Sequence, residues 1–318
     1  AVVMPDAVVM PDAVVMPDVA DAPAPTLRAR VAVDCGTVCM HPIDAVPNAA
    51  GTVLFFTAFT AAGAPAVYRA SVPAAGAMPS APTEVVSASG LESPIGLAIS
   101  ADDRTLYIAD MTAQREDTDV EARGVVYAYP TAGGGALVPV AVGDDLVNPA
   151  AITVSSDGND LLITARRASV DPSTRAVFRV PRTGAAAVVV ADTLVSPSGV
   201  TQSGTGTTLC FDVARGGPRN GSAMTLAGRL DLASDLLAGY PAGIAYAIDN
   251  RSVLVSGAAA GSAGRLTWID DAGRVTAPSE LSGAMVSPRG LHRARMADVW
   301  AVADDESGDN GQVWIVSR

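Results

Sequence analysis

The chain has 318 residues, with 21 basic against 33 acidic side chains and a formal net charge of −12. Every basic residue is Arg, which excludes Schiff-base lysine chemistry and a P-loop lysine, and an acidic chain without a basic cluster is a poor nucleic-acid binder. Two His (His41, His292) and three Cys (Cys35, Cys39, Cys210), with no paired CxxC, cannot supply a three-His catalytic zinc site or its thiolate substitute.

Residues 1–18 are AVVMPD written three times, followed by VADAPAPT. Proline at every sixth position prevents a continuous helix, so 1–26 reads as a low-complexity tail preceding a domain over 27–318. The tail serves either as a solvated spacer or as a strand donor. In the second case the β-prone AVVM segments of residues 1–18 pair with an exposed sheet edge, giving self-association. Such Ala/Pro/Asp tracts resemble those that follow the anchor of bacterial lipoproteins. A start at Ala1 with no n-region or h-region reads as a mature or trimmed product. No apolar run approaches 18 residues, so no segment is expected to span a bilayer. Cys35 and Cys39 either pair, favouring an oxidising compartment, or stay as buried thiols, since the three-residue loop between them is tight for a bridge. Together these features point to an extracytoplasmic protein, secreted or tethered to the cell surface.

Beyond the tail, one frame repeats. Ser93-Pro-Ile-Gly-Leu-Ala98, Asn148-Pro-Ala-Ala-Ile-Thr153, Ser196-Pro-Ser-Gly-Val-Thr201, Tyr240-Pro-Ala-Gly-Ile-Ala245 and Ser287-Pro-Arg-Gly-Leu-His292 are variants of one segment, and His41-Pro-Ile-Asp-Ala-Val46 is a diverged copy. Twelve residues after each proline an apolar strand begins, at Leu54, Leu106, Leu161, Leu209, Val253 and Trp300. The prolines are 52, 55, 48, 44 and 47 residues apart. Within the second unit, Ile95–Ser100, Thr105–Asp110, Gly124–Pro130 and Ala136–Val142 read as four strands. Hairpin turns are expected at Ala101–Arg104 and Ala132–Gly135. Six such units describe an all-β, six-bladed β-propeller of four-stranded blades. The last unit has Arg289–Arg293, Val299–Asp304 and Gln312–Arg318 but no fourth strand, whereas Leu27–Asp34 is an orphan strand near the start. The two should pair and close the ring.

The Pro-x-Gly-Leu/Ile-Ala segment, an Asp-bearing turn and then LYIAD resemble NHL-type and gluconolactonase-like (senescence-marker-protein family) six-bladed propellers over residues 27–318, most closely at Ser93–Asp110. The resemblance implies architecture and leaves function open, because such propellers include lactonases, lyases, sensors and binding modules. In the gluconolactonase-like enzymes a divalent cation is held with Asn or Asp directly after the first-strand proline. That position here reads Ile43, Ile95, Ala150, Ser198, Ala242 and Arg289, so a calcium-dependent lactonase is not supported. The related lyases use His-ligated zinc, for which two His are too few.

The long connections, Met111–Arg123, Arg166–Arg175, Ala214–Gly221, Ala258–Ala263 and Asp305–Gly311, share one face, which is the expected functional face. Comparing the inner strands position by position singles out a few residues. Two residues after proline the set is Asp44, Gly96, Ala151, Gly199, Gly243 and Gly290; four after, it is Val46, Ala98, Thr153, Thr201, Ala245 and His292. Arg289 follows its proline and His41 precedes its own. Asp44, Arg289, His292 and His41 should therefore converge at the seam where the first and last units meet. Either Arg289 contacts an anion while Asp44 orients His292 for proton transfer, or the residues form an ion pair filling irregular packing. Asp304–Gly311 loosely resembles a calcium loop through Asp305, Glu306 and Asp309 but lacks its alternate-residue pattern. The acidic stretch 115–121 reads as a solvated loop, and no G-x-S-x-G nucleophile elbow occurs. The expected function is a non-enzymatic binding or scaffold module for a protein or small ligand, using the long-loop face and needing no cofactor. A hydrolase or lyase at the channel mouth is the first alternative, and self-association through the tail the second.

Overall fold

The computed structural model describes residues 25–87, 90–114, 123–167, 175–184, 186–194, 197–213, 221–225, 228–231, 240–258, 264–270, 275–276 and 285–318. The AVVMPD tail, the acidic stretch 115–121 and most of the long connections other than Asp305–Gly311 lie outside these residues.

The fold is all-β. After β1 (Arg28–Asp34), the first sheet is the meander β2 (Cys39–Pro47), β3 (Val53–Thr60), β4 (Pro65–Ser71) and β5 (Thr83–Ser87). Then come β6 (Pro94–Ile99), β7 (Thr105–Gln114), β8 (Arg123–Pro130), β9 (Val138–Val147), β10 (Ile152–Val154), β11 (Asp160–Arg166), β12 (Arg175–Pro181) and β13 (Val188–Leu194), which share one eight-stranded sheet. Two further meanders are β14 (Pro197–Gln202) to β15 (Thr208–Val213), β16 (Gly221–Thr225) and β17 (Gly228–Asp231), and β18 (Tyr240–Tyr246) to β19 (Val253–Ala258), β20 (Gly264–Ile269) and β21 (Val275–Thr276). The last sheet contains β22 (Pro288–Arg293), β23 (Val299–Asp304) and β24 (Gln312–Ser317), with β1 as its fourth strand. No helix among the described residues is long and apolar enough to cross a membrane.

The molecule is a β-propeller of four-stranded blades whose N-terminal strand joins the C-terminal sheet. β1 runs antiparallel to β24 from Arg28 opposite Ser317 to Asp34 opposite Gln312, the pairing expected from the orphan strand and the incomplete last unit. The described strands make five hydrogen-bonded sheets where six separate units are expected. The difference lies at β9, expected to end at Val142. Leu146 and Val147 are buried and prolong it past Gly143-Asp144-Asp145, so that Val147 pairs with Arg166 of β11. That one pair joins β6–β9 to β10–β13.

Three inner strands, β6, β14 and β22, begin on a proline, where the missing N–H costs no ladder bond, and β18 carries its proline at the second position. Just beyond it the inner strand slips register, between Pro94 and Gly96, Pro197 and Val200, Pro241 and Gly243, and Pro288 and Leu291. A slip leaves an N–H without its ladder partner, and a buried one must be satisfied. In β2 and β18, and just before β10, a hydroxyl from the second strand is the acceptor. Asp44 N–H donates to Thr57 Oγ1 (3.2 Å), Ala151 N–H to Thr164 Oγ1 (2.9 Å) and Gly243 N–H to Ser256 Oγ (3.0 Å). Thr164 and Ser256 then donate onward to the carbonyls of Ser198 and Arg289 on the next inner strand. Just ahead of Pro94 and Pro288 the backbone donors instead meet a fully buried carboxylate of the second strand, β7 or β23. Asp110 accepts from the N–H groups of Glu92 (2.8 Å) and Ser93 (2.9 Å), and Asp304 from those of Val286 and Ser287 (both 2.8 Å).

The apolar core lies between neighbouring sheets. Val33, Phe56, Tyr68, Ala303 and Ile315 pack where the last sheet meets the first, and Trp300, Trp268, Leu291 and Val316 fill the preceding gap. At the seam Cys35 and Cys39 form a disulfide with Cα atoms 4.7 Å apart. Cys210 is buried and takes part in no disulfide. Val33 is fully buried in the seam cluster whereas Val38 is 46% exposed on the turn between β1 and β2. Val33→Asp is therefore expected to lower unfolding free energy by about 3–5 kcal/mol, the cost of an unpaired buried charge, and Val38→Asp by less than about 0.5 kcal/mol. Urea unfolding followed by circular dichroism measures both, and equal losses would contradict the closure described above.

Candidate functional site

The inner strands approach one another so closely around the central channel that the position two after proline has almost no room for a side chain. A Cβ on Gly96 would lie 2.0 Å from the Ala150 carbonyl oxygen, and one on Gly243 2.4 Å from Leu291 N. Asp44 is the exception in that column. Its carboxylate lies against the α-carbon of Gly290, where a Cβ would come within 1.9 Å of Oδ1. Oδ1 accepts the Ala45 N–H (2.9 Å), and Oδ2 accepts the Leu97 N–H of β6 (2.7 Å) and meets His292 Nε2 of β22 at 3.1 Å. One buried carboxylate thus touches three inner strands.

The two side chains expected to meet as orienter and proton carrier are therefore in hydrogen-bond contact. With Asp44 ionised, Nε2 carries the proton donated to it. That leaves Nδ1 as the acceptor of the neutral ring, and no group among the described residues bonds to it. The His292 side chain is 14% exposed against 4% for Asp44, so the imidazole is the more open of the two.

His292 separates two mouths of the channel. On the side where the inner strands begin, Ile43, Ile95, Ala150, Ala242, Ile244 and Leu291 are among the residues lining a cavity of ≈ 420 Å³ whose floor includes Asp44 and His292. On the side of the tight turns lies a second cavity of ≈ 260 Å³, bordered by His292, Thr153, Thr201, Tyr246, Arg293 and Arg295.

The other two expected members of the site do not join the pair. Arg289 lies at the cavity edge but its guanidinium turns to Asp305, with Nε and Nη2 at 3.0 and 2.7 Å from Oδ2. At 48% exposure this is a rim ion pair of modest strength. His41 is exposed, holds a positive φ of 53° within β2 where the strand slips register between Met40 and Asp44, and places Nδ1 3.2 Å from the Asp305 carbonyl oxygen. Both therefore converge on Asp305, because β2 bends at His41 and the Arg289 side chain points outward from the strand start.

The loosely calcium-like loop is arranged differently from the expectation. Asp304 points inward to backbone N–H groups and the Ser307 hydroxyl, Asp305 pairs with Arg289, and Glu306 and Asp309 face solvent. Among the described residues no group of three or more His, Cys, Asp or Glu side chains is placed to hold a metal ion. Arg293 and Arg295 went unremarked in the sequence. Their signal is the His292–Arg295 stretch, three cation-capable residues in four, within an acidic chain.

No protein-family model matches the chain, and no curated protein matches it in sequence. Solved structures do resemble it. The PQQ-bound aldose sugar dehydrogenase of Streptomyces coelicolor superposes with a TM-score of 0.65 at 17% identity, over 93% of this chain and 99% of that one. A gluconolactonase of Xanthomonas campestris gives 0.59 at 14% identity, over 92% and 89%. TolB of Acinetobacter baumannii gives 0.57 at 13% identity over 76% of this chain, which spans 55% of the length of that TolB. The likeness is one of fold. The gluconolactonase agrees with the architecture that the proline frame resembles, and at these identities none of the three carries its chemistry to this chain.

If the carboxylate holds strands together while the imidazole faces the cavity, the two should separate on mutation. Asp44→Ala is expected to reduce stability by about 3 kcal/mol, since it strands the buried Ala45 and Leu97 N–H groups. His292→Ala should cost about 1 kcal/mol or less. Equal losses in chemical unfolding would show that the pair acts only as a structural unit.

Proposed function

We propose that this protein is a six-bladed propeller that binds a small ligand in its central channel, the ligand entering where the inner strands begin and coming to rest on His292. The observation that carries the reading is the Asp44–His292 contact at 3.1 Å on the floor of that cavity, with Nδ1 left open. A mostly apolar concave site with a few convergent polar groups is the usual form of a small-molecule pocket. Arg289 at the rim supplies an anion contact when it exchanges Asp305 for a ligand.

The six-blade count takes the eight-stranded sheet as two blades joined at Val147 and Arg166. It is supported by inner strands that touch in cyclic order, β2, β6, β10, β14, β18, β22 and back to β2. A separate apolar cluster also packs between β6–β9 and β10–β13. The Cys35–Cys39 bridge supports an extracytoplasmic location, with the tail at 1–26 as spacer.

A second reading, hydrolysis of a lactone-type ester, is favoured by the orientation of His292. An imidazole held through Nε2 by a carboxylate presents Nδ1 as a general base to a water molecule, and one neighbour in fold is a gluconolactonase.

Because the chain has only two His, ¹⁵N-detected imidazole spectra report the site directly. Screening the full chain against a library of small polar fragments should shift the His292 resonances and leave those of His41 in place. Ala242→Trp, at the cavity wall, should weaken that response at least tenfold with the melting temperature retained. A screen in which His292 never responds, or responds equally in Ala242→Trp, refutes channel binding. With gluconolactone as substrate, the second reading expects hydrolysis above the spontaneous rate, reduced by about 10² or more in His292→Gln; a wild-type rate equal to the spontaneous one removes it.

A further inference from the structure

The mouth on the tight-turn side has a chemistry of its own. Its lining carries the guanidinium groups of Arg293 and Arg295 against the single carboxylate of Asp103, in a protein of net charge −12. Asp103 is already engaged, its two oxygens lying 2.9 and 3.1 Å from the Ala49 N–H they share. Arg293 is partly buried and held by carbonyls alone. Nε donates to Tyr246 O (2.7 Å), and Nη1 to the carbonyl oxygens of Ala294 (2.7 Å), Ala297 (3.1 Å) and Arg295 (3.3 Å).

No carboxylate among the described residues lies within ion-pair distance of Arg293 or Arg295. Asp298 and Asp249 act on Arg293 only through space, and both are turned to Arg318 at 3.8 Å. They also accept backbone N–H groups, Asp298 from Ile248 and Asp249 from Arg251 and Ser252. Burial pulls the Arg293 guanidinium below its ordinary value. A desolvated charge in a folded protein is ordinarily paired, and here carbonyl dipoles occupy the place of a counter-anion.

Arg295 is exposed and reaches to the Ala101 carbonyl on the turn between β6 and β7 (2.7 Å), its remaining N–H groups having no acceptor among the described residues. In the same cavity the hydroxyls of Thr153 and Thr201 bond to no described side chain. Burial pushes the Tyr246 phenol up to about 12, so it stays protonated. We propose that the tight-turn mouth is a second binding site, for a small molecule bearing an oxyanion, carboxylate or phosphate, whose charge neutralises Arg293, which Arg295 clamps and which the hydroxyls of Thr153 and Thr201 orient. The site opens on the face opposite to the first cavity and stands independently of the function proposed there.

Isothermal titration calorimetry of the full chain at low salt, with succinate and separately with inorganic phosphate, tests this. One site per chain is expected, weakened at least tenfold by Arg295→Ala and less by Arg295→Lys. The melting temperature should not move, because this exposed side chain makes one bond to a carbonyl. Binding of succinate alone assigns a carboxylate, binding of phosphate alone a phosphoryl group, and binding of both the oxyanion class as a whole. Failure of both anions to bind at up to about 10 mM, or an Arg295→Ala variant that binds as tightly as wild type, overturns the proposal.

Discussion

The carboxylate of Asp44 is the contact on which the arrangement of the channel depends. It replaces the glycine or alanine that the other inner strands carry at its position, and it fills the gap between β22 and β6. A carboxylate that accepts from two backbone N–H groups and an imidazole is stable when buried because every donor it meets is directed at it. Support and orientation therefore share one group. His292 keeps its place at the cavity because the group that orients it is immobilised for reasons of its own.

The same principle recurs away from the channel. Backbone donors beside the prolines at which the inner strands start need acceptors. Thr57, Thr164 and Ser256 supply hydroxyls at one point of the second strand, whereas Asp110 and Asp304 supply carboxylates one residue further along. Five buried polar side chains thus serve the backbone. Carboxylates as buried as Asp110 and Asp304 are accounted for by that backbone role.

Much of the fold was legible because it is periodic. A proline followed after a fixed interval by an apolar strand locates the inner and second strands, and an unmatched strand at each end of the frame implies their pairing. The end of β9 was not legible: Gly143-Asp144-Asp145 has the composition of a turn, and burial of Leu146 and Val147 overrides it. Within the site, Asp44 and His292 stood out as exceptions in otherwise small or apolar columns. A column gives position without direction, however, and this separates Arg289 and His41 from the pair. Arg293 escaped notice because its partners are carbonyl oxygens, which no residue letter announces.

The disulfide at the seam has a mechanical consequence. Cys35 and Cys39 lie where the chain passes from β1, the strand that completes the last sheet, into β2, the inner strand of the first. A pull directed along β1 from residue 25 loads its ladder with β24 in shear, so the bonds from Arg28 to Asp34 share the force instead of breaking one by one. Should β1 slide, the covalent loop at Cys35–Cys39 is the next element to take the load, before tension reaches Asp44 and the channel. A pull on residue 25 is thus taken up at the seam while the central cavity keeps its shape.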